Sequence, residues 1–158
     1  IALRPDTYCD MVRTGHSALG LADGYEPVLS FKSRLVFLKD VTQGASISYN
    51  RSFIAPRTMK VATLPVGYGD GYLRALSNKA QVLIGGVRCP VLGNITMDMC
   101  MVDVSAVAGA RVGDEAVLIG KQGAQQIRAQ ELAGWAGTID YELTTLLMPR
   151  VKRFYQEI

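Results

Sequence analysis

The sequence predicts a mainly β protein in the form of an antiparallel, barrel-like domain. From Val28 onward, short runs rich in Val, Leu, Ile and Phe recur about every ten residues, each bounded by Gly, Pro, Asn or Asp. Glycine accounts for 16 of the 158 residues, which suits a fold with many tight turns. Stretches with the spacing of an amphipathic helix are few. Closing such a sheet on itself leaves no exposed edge strand, which favours a barrel over an open sheet.

The predicted strands follow one another along the chain with turn residues between them. Some alternate apolar with polar residues, as a half-buried strand does, and others are continuously apolar. Turns containing GG, GD or QG separate several of them. The segments are 28–41, 46–49, 59–68, 81–86, 89–93, 100–104 and 115–120.

Helical patterns occur at three places. The segment 127–137 places its apolar residues at helical spacing and ends in Gly137, which predicts one short helix with a glycine cap. A second short helix is predicted within 68–77, after a GDG turn. The Leu- and Thr-rich segment 141–155 fits either a helix or a strand, and Pro149 bounds it.

Length, composition and charge exclude several classes of protein. A chain of 158 residues with 49% hydrophobic and 20% charged residues is expected to form one globular domain. Its net charge of +3 is too small to indicate nucleic acid or an anionic membrane as a partner. The longest apolar runs, such as 116–119, fall far short of the ~20 residues of a membrane span. The first residues lack the pattern of a signal peptide.

Cysteine and histidine usage predicts neither a disulfide framework nor a metal site. Cys9, Cys89 and Cys100 are odd in number and widely spaced, so the sequence encodes neither a disulfide scaffold nor a CxxC metal site. His16 is the one histidine of the sequence, so no zinc site is expected. We therefore expect a reduced, cytoplasmic protein without a bound metal.

Four tyrosines, Tyr49, Tyr68, Tyr72 and Tyr141, lie beside turn residues and not inside apolar runs. A tyrosine at a strand end can act as a general acid or base if a nearby cation lowers its pKa from about 10. Tyrosines are also common at protein interfaces, where they do no chemistry. The glycine-rich string at 66–72 lacks the βαβ surroundings of a dinucleotide-binding motif, so we interpret it as a turn. The residues alone leave both interpretations of the tyrosines open.

Seven strings taken together indicate a protein family. In chain order they are VRTG (12–15), SYNRSF (48–53), PVGYGDGYLR (65–74), VLGNITMDM (91–99), GDEAVLIG (113–120), TIDYE (138–142) and PRVKRFY (149–155). Their order and mutual distances resemble those of alanine racemases over essentially the whole chain. The resemblance implies that residues 24–158 are the C-terminal β domain of a fold-type III pyridoxal-phosphate enzyme. Residues 1–23 would then be the end of the N-terminal cofactor barrel, including its last strand.

The resemblance also implies a two-base reaction that interconverts L- and D-alanine on pyridoxal 5'-phosphate. Tyr49 matches the tyrosine that serves as one base and acts in the partner subunit's site. The other base is a lysine of the barrel, which also anchors the cofactor. Two groups are needed because one face of the substrate loses the proton and the opposite face receives one. No lysine of this chain matches the barrel lysine, so we expect the chain to be inactive without that barrel.

Further cofactor contacts follow from the same resemblance. Arg13 matches the arginine that faces the cofactor's pyridine nitrogen, which then stays unprotonated because a guanidinium does not give up its proton. Gly15 and His16 match positions whose backbone N–H groups bind the phosphate. Tyr141 matches a tyrosine that donates to the same phosphate.

Contacts to the substrate are implied in the same way. Met97 matches the residue whose backbone contacts the substrate carboxylate. Tyr68 and Asp98 match residues that line the narrow access channel. The implied partners are therefore a small amino acid and, in the complete enzyme, a second copy of the same chain in a head-to-tail homodimer. The product, D-alanine, would serve the supply of cell-wall peptidoglycan precursors.

Three departures from the family pattern leave the substrate open. Gly69 stands where Ala is common, Met99 where Gln is usual, and Asn94 where Arg is common. Serine, or a broader set of amino acids, is therefore an alternative substrate. A non-catalytic β-barrel module for binding or assembly also fits the strand pattern. It does not explain why Arg13, Tyr49, Met97 and Tyr141 occur together.

Overall fold

Short strands make up most of the chain. The computed structural model describes residues 6, 8–11, 13, 15–22 and 24–155. Its strands are β1 (Phe31–Arg34), β2 (Phe37–Val41), β3 (Ser46–Ile47), β4 (Phe53–Ile54), β5 (Met59–Leu64), β6 (Gln81–Ile84), β7 (Val87–Leu92), β8 (Cys100–Asp103), β9 (Glu115–Gln122) and β10 (Gln125–Ile127). The α-helices are α1 (Ala129–Ala136) and α2 (Asp140–Thr145), and single 3-10 turns cover His16–Leu19, Tyr49–Arg51, Tyr68–Asp70 and Arg74–Leu76.

The main sheet is antiparallel throughout and closes on itself. Its strands run in the order β1-β9-β6-β7-β8-β5-β2, and β10 pairs with β9. The two ends of this order, β1 and β2, belong to one segment, residues 31–41, and are separated by Leu35 and Val36 alone. Leu35 N–H donates to Asp114 O on one side at 3.0 Å, and Val36 N–H donates to Thr63 O on the other at 3.0 Å. The same segment therefore joins both edges, which makes the sheet a barrel.

The interior of the barrel holds the main hydrophobic core. Val82 and Ile84 of β6 point into it, whereas Leu83 between them belongs to a small cluster outside, with Val117 and Ile127. Helix α1 adds Trp135 to this outer cluster. Because both faces of β6 and β9 are covered, these strands are continuously apolar and do not alternate.

A second outer cluster attaches the β3–β4 hairpin to the barrel. Ile47 of β3 is buried against Met59 and Val61 of β5 and Leu92 of β7. Val61 and Leu92 face outward, since their neighbours Ala62 and Val91 belong to the interior core. The hairpin, whose tip carries Tyr49, is thereby held on the outer face of the sheet.

The prediction of a mainly β, antiparallel, barrel-like fold is confirmed. The predicted helix is confirmed for Ala129–Ala136, and Gly137 ends it in the left-handed conformation with φ 77°. Its predicted start is wrong, because Ile127 belongs to β10, where backbone pairing with β9 wins over helical spacing. The predicted helix within 68–77 is replaced by two separate 3-10 turns. Gly71 interrupts the segment in the left-handed region, at φ 98°.

Predictions were also made for the two ends of the chain. For the segment 141–155 the sequence allowed either a helix or a strand, and the structure has the helix α2 as far as Thr145. In the range 1–23 the residues that the structure describes contain no strand. Residues 1–5, 7, 12, 14 and 23 lie outside the described part, as do 156–158. Within the described part, no helix has the length and apolar character that crossing a membrane requires.

The core contains one buried hydroxyl without a partner. Tyr72 is fully buried, and no hydrogen-bonding atom of the described residues pairs with its hydroxyl group. Burial raises the pKa of Tyr72 well above its ordinary value of 10.0, and the charge on an ionised Cys100 would raise it further. The hydroxyl group therefore lost its hydration on folding and gained no hydrogen bond in return.

We expect Tyr72→Phe to raise the free energy of unfolding by about 1 kcal/mol, because it removes an unsatisfied buried hydroxyl and keeps the ring. Urea titration of both proteins measures the difference. Tyr25→Phe is the control, since Tyr25 is exposed, and we expect it to change nothing. A less stable Tyr72→Phe variant would show that the hydroxyl is satisfied in solution.

We expect the folded protein to lose stability as the pH rises above about 9. Burial raises the pKa of the Cys100 thiol from 9.0 to about 12. Burial, helped by the charge of Asp103, does the same for Cys89. Unfolded thiols ionise near 9, so the unfolded state binds fewer protons and stability falls by about 1.4 kcal/mol per pH unit for each thiol.

Free energies of unfolding between pH 8 and 11 measure this alkaline slope. Cys100→Ala removes one of the two thiols and is expected to flatten the slope, whatever it costs in absolute stability. Cys9→Ala is the matched control, because the Cys9 thiol is exposed. If the parent protein, Cys100→Ala and Cys9→Ala all lost stability equally per pH unit, the Cys100 thiol would not be a source of the alkaline slope.

Candidate functional site

A cavity of about 250 Å³ opens beside the β3–β4 hairpin. Three loops supply its walls: the hairpin tip, the segment that follows β5, and the segment between β7 and β8. The lining residues are Tyr49, Tyr68, Arg74, Asn94, Ile95, Thr96, Met97 and Asp98. The cavity thus brings together a phenol, a guanidinium, a carboxylate and an exposed stretch of backbone.

Tyr49 stands on a strained hairpin tip. Ser48, Asn50 and Arg51 have φ values of 65°, 60° and 50°, in the left-handed region that residues with a side chain rarely adopt. The tyrosine side chain is 70% exposed. A conformation of this kind persists only where the surroundings enforce it, and such strain is typical of functional sites.

The loop after β7 holds this tip by reciprocal hydrogen bonds. Ser48 Oγ donates to Asn94 O at 2.6 Å, and Asn94 Nδ2 donates to Tyr49 O at 3.0 Å. The approach is close because Gly93 has no side chain: a Cβ there would lie 2.5 Å from Ile47 O. The hydroxyl of Tyr49 therefore projects from a backbone fixed on both sides of it.

Asn78 joins the two loops a second time. Its Oδ1 accepts from Gly93 N–H at 2.6 Å, and its Nδ2 donates to Ser52 O at 3.3 Å. Next to it, Ser77 Oγ accepts from Ile95 N–H at 2.9 Å. The segment 77–78 is thus the common support of the hairpin tip and of the cavity floor.

The floor itself, residues 96–98, is oriented by the glycine-rich loop 67–71. Tyr68 N–H donates to Thr96 O at 3.1 Å, and Gly69 N–H donates to Met97 O at 2.8 Å. In a trans peptide the N–H and C=O groups point in opposite directions. The N–H groups of Met97 and Asp98 therefore point away from this loop.

Gly67 makes this contact between backbones feasible. A Cβ at Gly67 would lie 2.1 Å from Thr96 O, well inside contact distance. Asp70 Oδ2 accepts from Gly67 N–H at 2.9 Å and fixes the turn from within. The glycines of VGYGDGY, interpreted from the sequence as a turn, thus serve close approach to the segment that carries Met97.

A second group of residues suits a phosphate-bearing cofactor. A Cβ built on Gly15 would lie 3.3 Å from the Tyr141 hydroxyl oxygen, so a side chain there would fill the space in front of that hydroxyl. Gly15 directly precedes the 3-10 turn His16–Leu19. A hydroxyl group beside a glycine is a chemistry that could contact a phosphate, and Arg13 is exposed nearby in sequence. The His16 side chain lies outside the described atoms.

The structure thus places the predicted site residues in two groups. Tyr49, Tyr68, Met97 and Asp98 line one cavity, and Gly15 lies next to Tyr141. Arg74 and Thr96 also line the cavity, and sequence reasoning did not single them out, although both lie within strings that carry the resemblance. Asn78 lies between two of these strings, and no sequence pattern marked it as part of the site. Within the described residues, no cluster of three or more His, Cys, Asp or Glu side chains is arranged to hold a metal ion.

We expect Asn78→Ala to lower the free energy of unfolding by about 1–3 kcal/mol, because it leaves the buried Gly93 N–H without an acceptor. Asn78 has φ 59°, so Asn78→Gly removes the same bonds without adding backbone strain and is expected to cost less. Asn78→Asp keeps the acceptor and serves as the control. Urea titration measures all three. Equal stability of Asn78→Ala and the parent protein would contradict the assigned bridge.

The sequence of the chain matches a known protein family. Residues 28–155 match the family model of the alanine racemase C-terminal domain. The alanine racemase of Symbiobacterium thermophilum is 49% identical over 163 residues, covering 98% of this chain and 43% of that protein.

Solved structures agree with the sequence match. The alanine racemase from D-cycloserine-producing Streptomyces lavendulae superposes with a TM-score of 0.89 at 32% identity, over 97% of this chain and 42% of that chain. The alanine racemase of Bartonella henselae with covalently bound pyridoxal phosphate gives 0.85 at 29% identity, over 93% and 42%. The chain thus spans less than half of the length of these relatives, and over residues 28–155 it belongs to the alanine racemase family as its C-terminal domain.

Proposed function

We propose that this chain supplies one of the two proton-transferring groups of an enzyme that interconverts L- and D-alanine. The observation that carries the proposal is the placement of Tyr49: an exposed phenol on a rigid hairpin tip, at the edge of a cavity whose floor offers oriented backbone N–H groups. Rigid support matters because proton transfer needs the donor and acceptor atoms within about 3 Å.

The role proposed for Tyr49 is to exchange a proton between its hydroxyl oxygen and the α-carbon of the amino acid, on one face. A racemase needs a second group on the other face, and the family resemblance assigns it to a lysine outside this chain. Arg74 lines the same cavity, and a positive charge within it favours the deprotonated form of a tyrosine.

The proposed role of the cavity floor is to bind the substrate carboxylate. The backbone N–H groups of Met97 and Asp98 point away from the loop 67–71, whose own N–H groups already hold the carbonyls of Thr96 and Met97. An anion that accepts from preset N–H groups binds without reorganising them. Held in this way, the amino acid presents its α-carbon at a constant distance from the Tyr49 oxygen.

The group formed by Gly15 and Tyr141 is proposed to hold the phosphate of pyridoxal 5'-phosphate, with His16 contributing its backbone N–H. When bound, this cofactor supplies an electron sink for the negative charge left on the α-carbon. Arg13 is proposed to donate to the ring nitrogen and to keep it unprotonated, because a guanidinium does not release its proton. This limits electron withdrawal into the ring and so disfavours transamination.

The complete enzyme is proposed to be a cytoplasmic head-to-tail homodimer that supplies D-alanine for cell-wall peptidoglycan precursors. Tyr49 is 70% exposed, and within the described residues the cavity lining includes neither Gly15 nor Tyr141. Both facts favour an arrangement in which Tyr49 acts at a site whose cofactor is held by the partner subunit. Tyr68 and Asp98, which also line the cavity, are proposed to shape the access channel.

We expect Tyr49→Phe, made in the protein that joins this chain to its cofactor-binding domain, to slow proton exchange on one face of alanine by about 10²- to 10⁴-fold. The measurement is the incorporation of deuterium from D₂O at the α-carbon, starting from each enantiomer separately. One enantiomer should still exchange its proton through the remaining base, whereas conversion to the other enantiomer should nearly stop.

Tyr155→Phe is the matched control, because Tyr155 is 91% exposed and does not line the cavity. Both variants should keep the unfolding midpoint of the parent protein. Unchanged racemisation by Tyr49→Phe in both directions would exclude Tyr49 as a base.

A further inference from the structure

Arg150 contacts two residues of the cavity floor, Met97 and Asp98. It lies after α2, and it does not line the cavity itself. Its Nη2 forms an ion pair with Asp98 Oδ1 at 2.8 Å and donates to Met97 O at 3.3 Å. Its Nε pairs with Asp70 Oδ1 at 2.7 Å. One guanidinium therefore joins the glycine-rich loop to Met97 and Asp98, two residues that line the cavity.

These contacts act on the orientation of one peptide group. The carbonyl of Met97 and the N–H of Asp98 belong to the same planar unit, so a donor on the carbonyl fixes the direction of the N–H. Gly69 N–H and Arg150 Nη2 both donate to this carbonyl. The ion pair with the Asp98 side chain fixes the next residue as well, and the planar fork of arginine sets direction as well as distance.

The segment that precedes Arg150, residues 146–148, also contacts the glycine-rich loop 67–71. Met148 N–H donates to Asp70 O at 3.2 Å. A Cβ on Gly71, which has φ 98°, would lie 2.4 Å from Leu146 O. The backbone at 146–148 therefore packs against the loop 67–71, and this contact positions the Arg150 guanidinium next to the cavity floor.

Gly69 leaves the space that the guanidinium occupies. A Cβ built on Gly69 would lie 2.4 Å from Arg150 Nη2 and 2.9 Å from Met97 O. An alanine at this position would require the end of the Arg150 side chain to shift. The glycine at position 69 and the arginine at position 150 thus form a steric pair.

We propose that Arg150 is a positioning residue for recognition of the substrate carboxylate, acting through the peptide group of Met97 and Asp98. This rests on the proposed function, in which those N–H groups receive the carboxylate. Arg150 itself touches neither the substrate nor the cofactor.

The test compares Arg150→Ala with Arg150→Lys in the protein that carries both domains. Arg150→Ala should raise the KM for alanine about tenfold, the loss expected for one charge-assisted contact, with kcat changed by less than about threefold. Arg150→Lys keeps the charge and loses the fork, so its KM should lie between those of the parent and Arg150→Ala.

Arg57→Ala is the matched control. Arg57 is an exposed arginine that pairs with Asp103 at 3.1 Å, away from the cavity lining. It should change neither KM nor kcat, and its unfolding midpoint should move as little as that of Arg150→Ala. If Arg150→Ala lowers stability but leaves KM unchanged, the role of Arg150 is structural only and the proposal fails.

Propionate and ethylamine separate the carboxylate from the rest of the substrate. The inhibition constant of propionate, which has the carboxylate and no amino group, should rise about tenfold in Arg150→Ala, in step with KM. Inhibition by ethylamine, which has no carboxylate, should not change. An equal effect on both probes would overturn the proposal.

A parent protein without alanine racemisation would defeat the proposed function and not the role of Arg150, which keeps the two failures distinct.

Discussion

One extended segment, residues 31–41, closes the sheet, and the rest of the molecule is built on the barrel that results. Its first half pairs with β9 and its second half with β5, and at the junction Leu35 N–H and Val36 N–H donate to opposite sides. One segment therefore covers the edges that β9 and β5 would otherwise expose. Its outer faces are then available for other elements: α1 on one side, and the hairpin that carries Tyr49 on another.

The candidate site depends more on backbone than on side chains. The floor of the cavity is oriented by N–H groups of the loop 67–71, and the strained tip at Tyr49 is held by bonds to and from Asn94. Glycines at 67 and 93 permit these contacts, because any Cβ would collide with a carbonyl oxygen. Rigid loops on a closed barrel can hold a phenol and an anion subsite at a constant distance, which proton transfer to and from one carbon atom requires.

Sequence patterns located the longer strands and the short strand β3, but they missed β4 and β10. Alternation and turn residues located the strands from β5 to β9. The two-residue strand β4 carries no periodicity, and β10 contains two glutamines and forms because β9 is already there to pair with. Motif strings located Tyr49, Met97 and Tyr141, since a family keeps such strings in order. Asn78 lies outside these strings. Arg150 lies within the last of them, but its role could not be inferred there, because it bridges loops that are remote in sequence.

The sequence by itself determined the fold class, the family and the residue types available for chemistry. All three follow from local patterns: apolar runs of strand length, turn residues between them, and short strings around reactive side chains. Only the tertiary structure decided that one segment closes the barrel, that Gly69 makes room for Arg150, and that Met97 and Asp98 turn their N–H groups away from the glycine-rich loop. These features arise from contacts between residues tens of positions apart, and their geometry is set by packing and hydrogen bonding that exist only once the chain is folded.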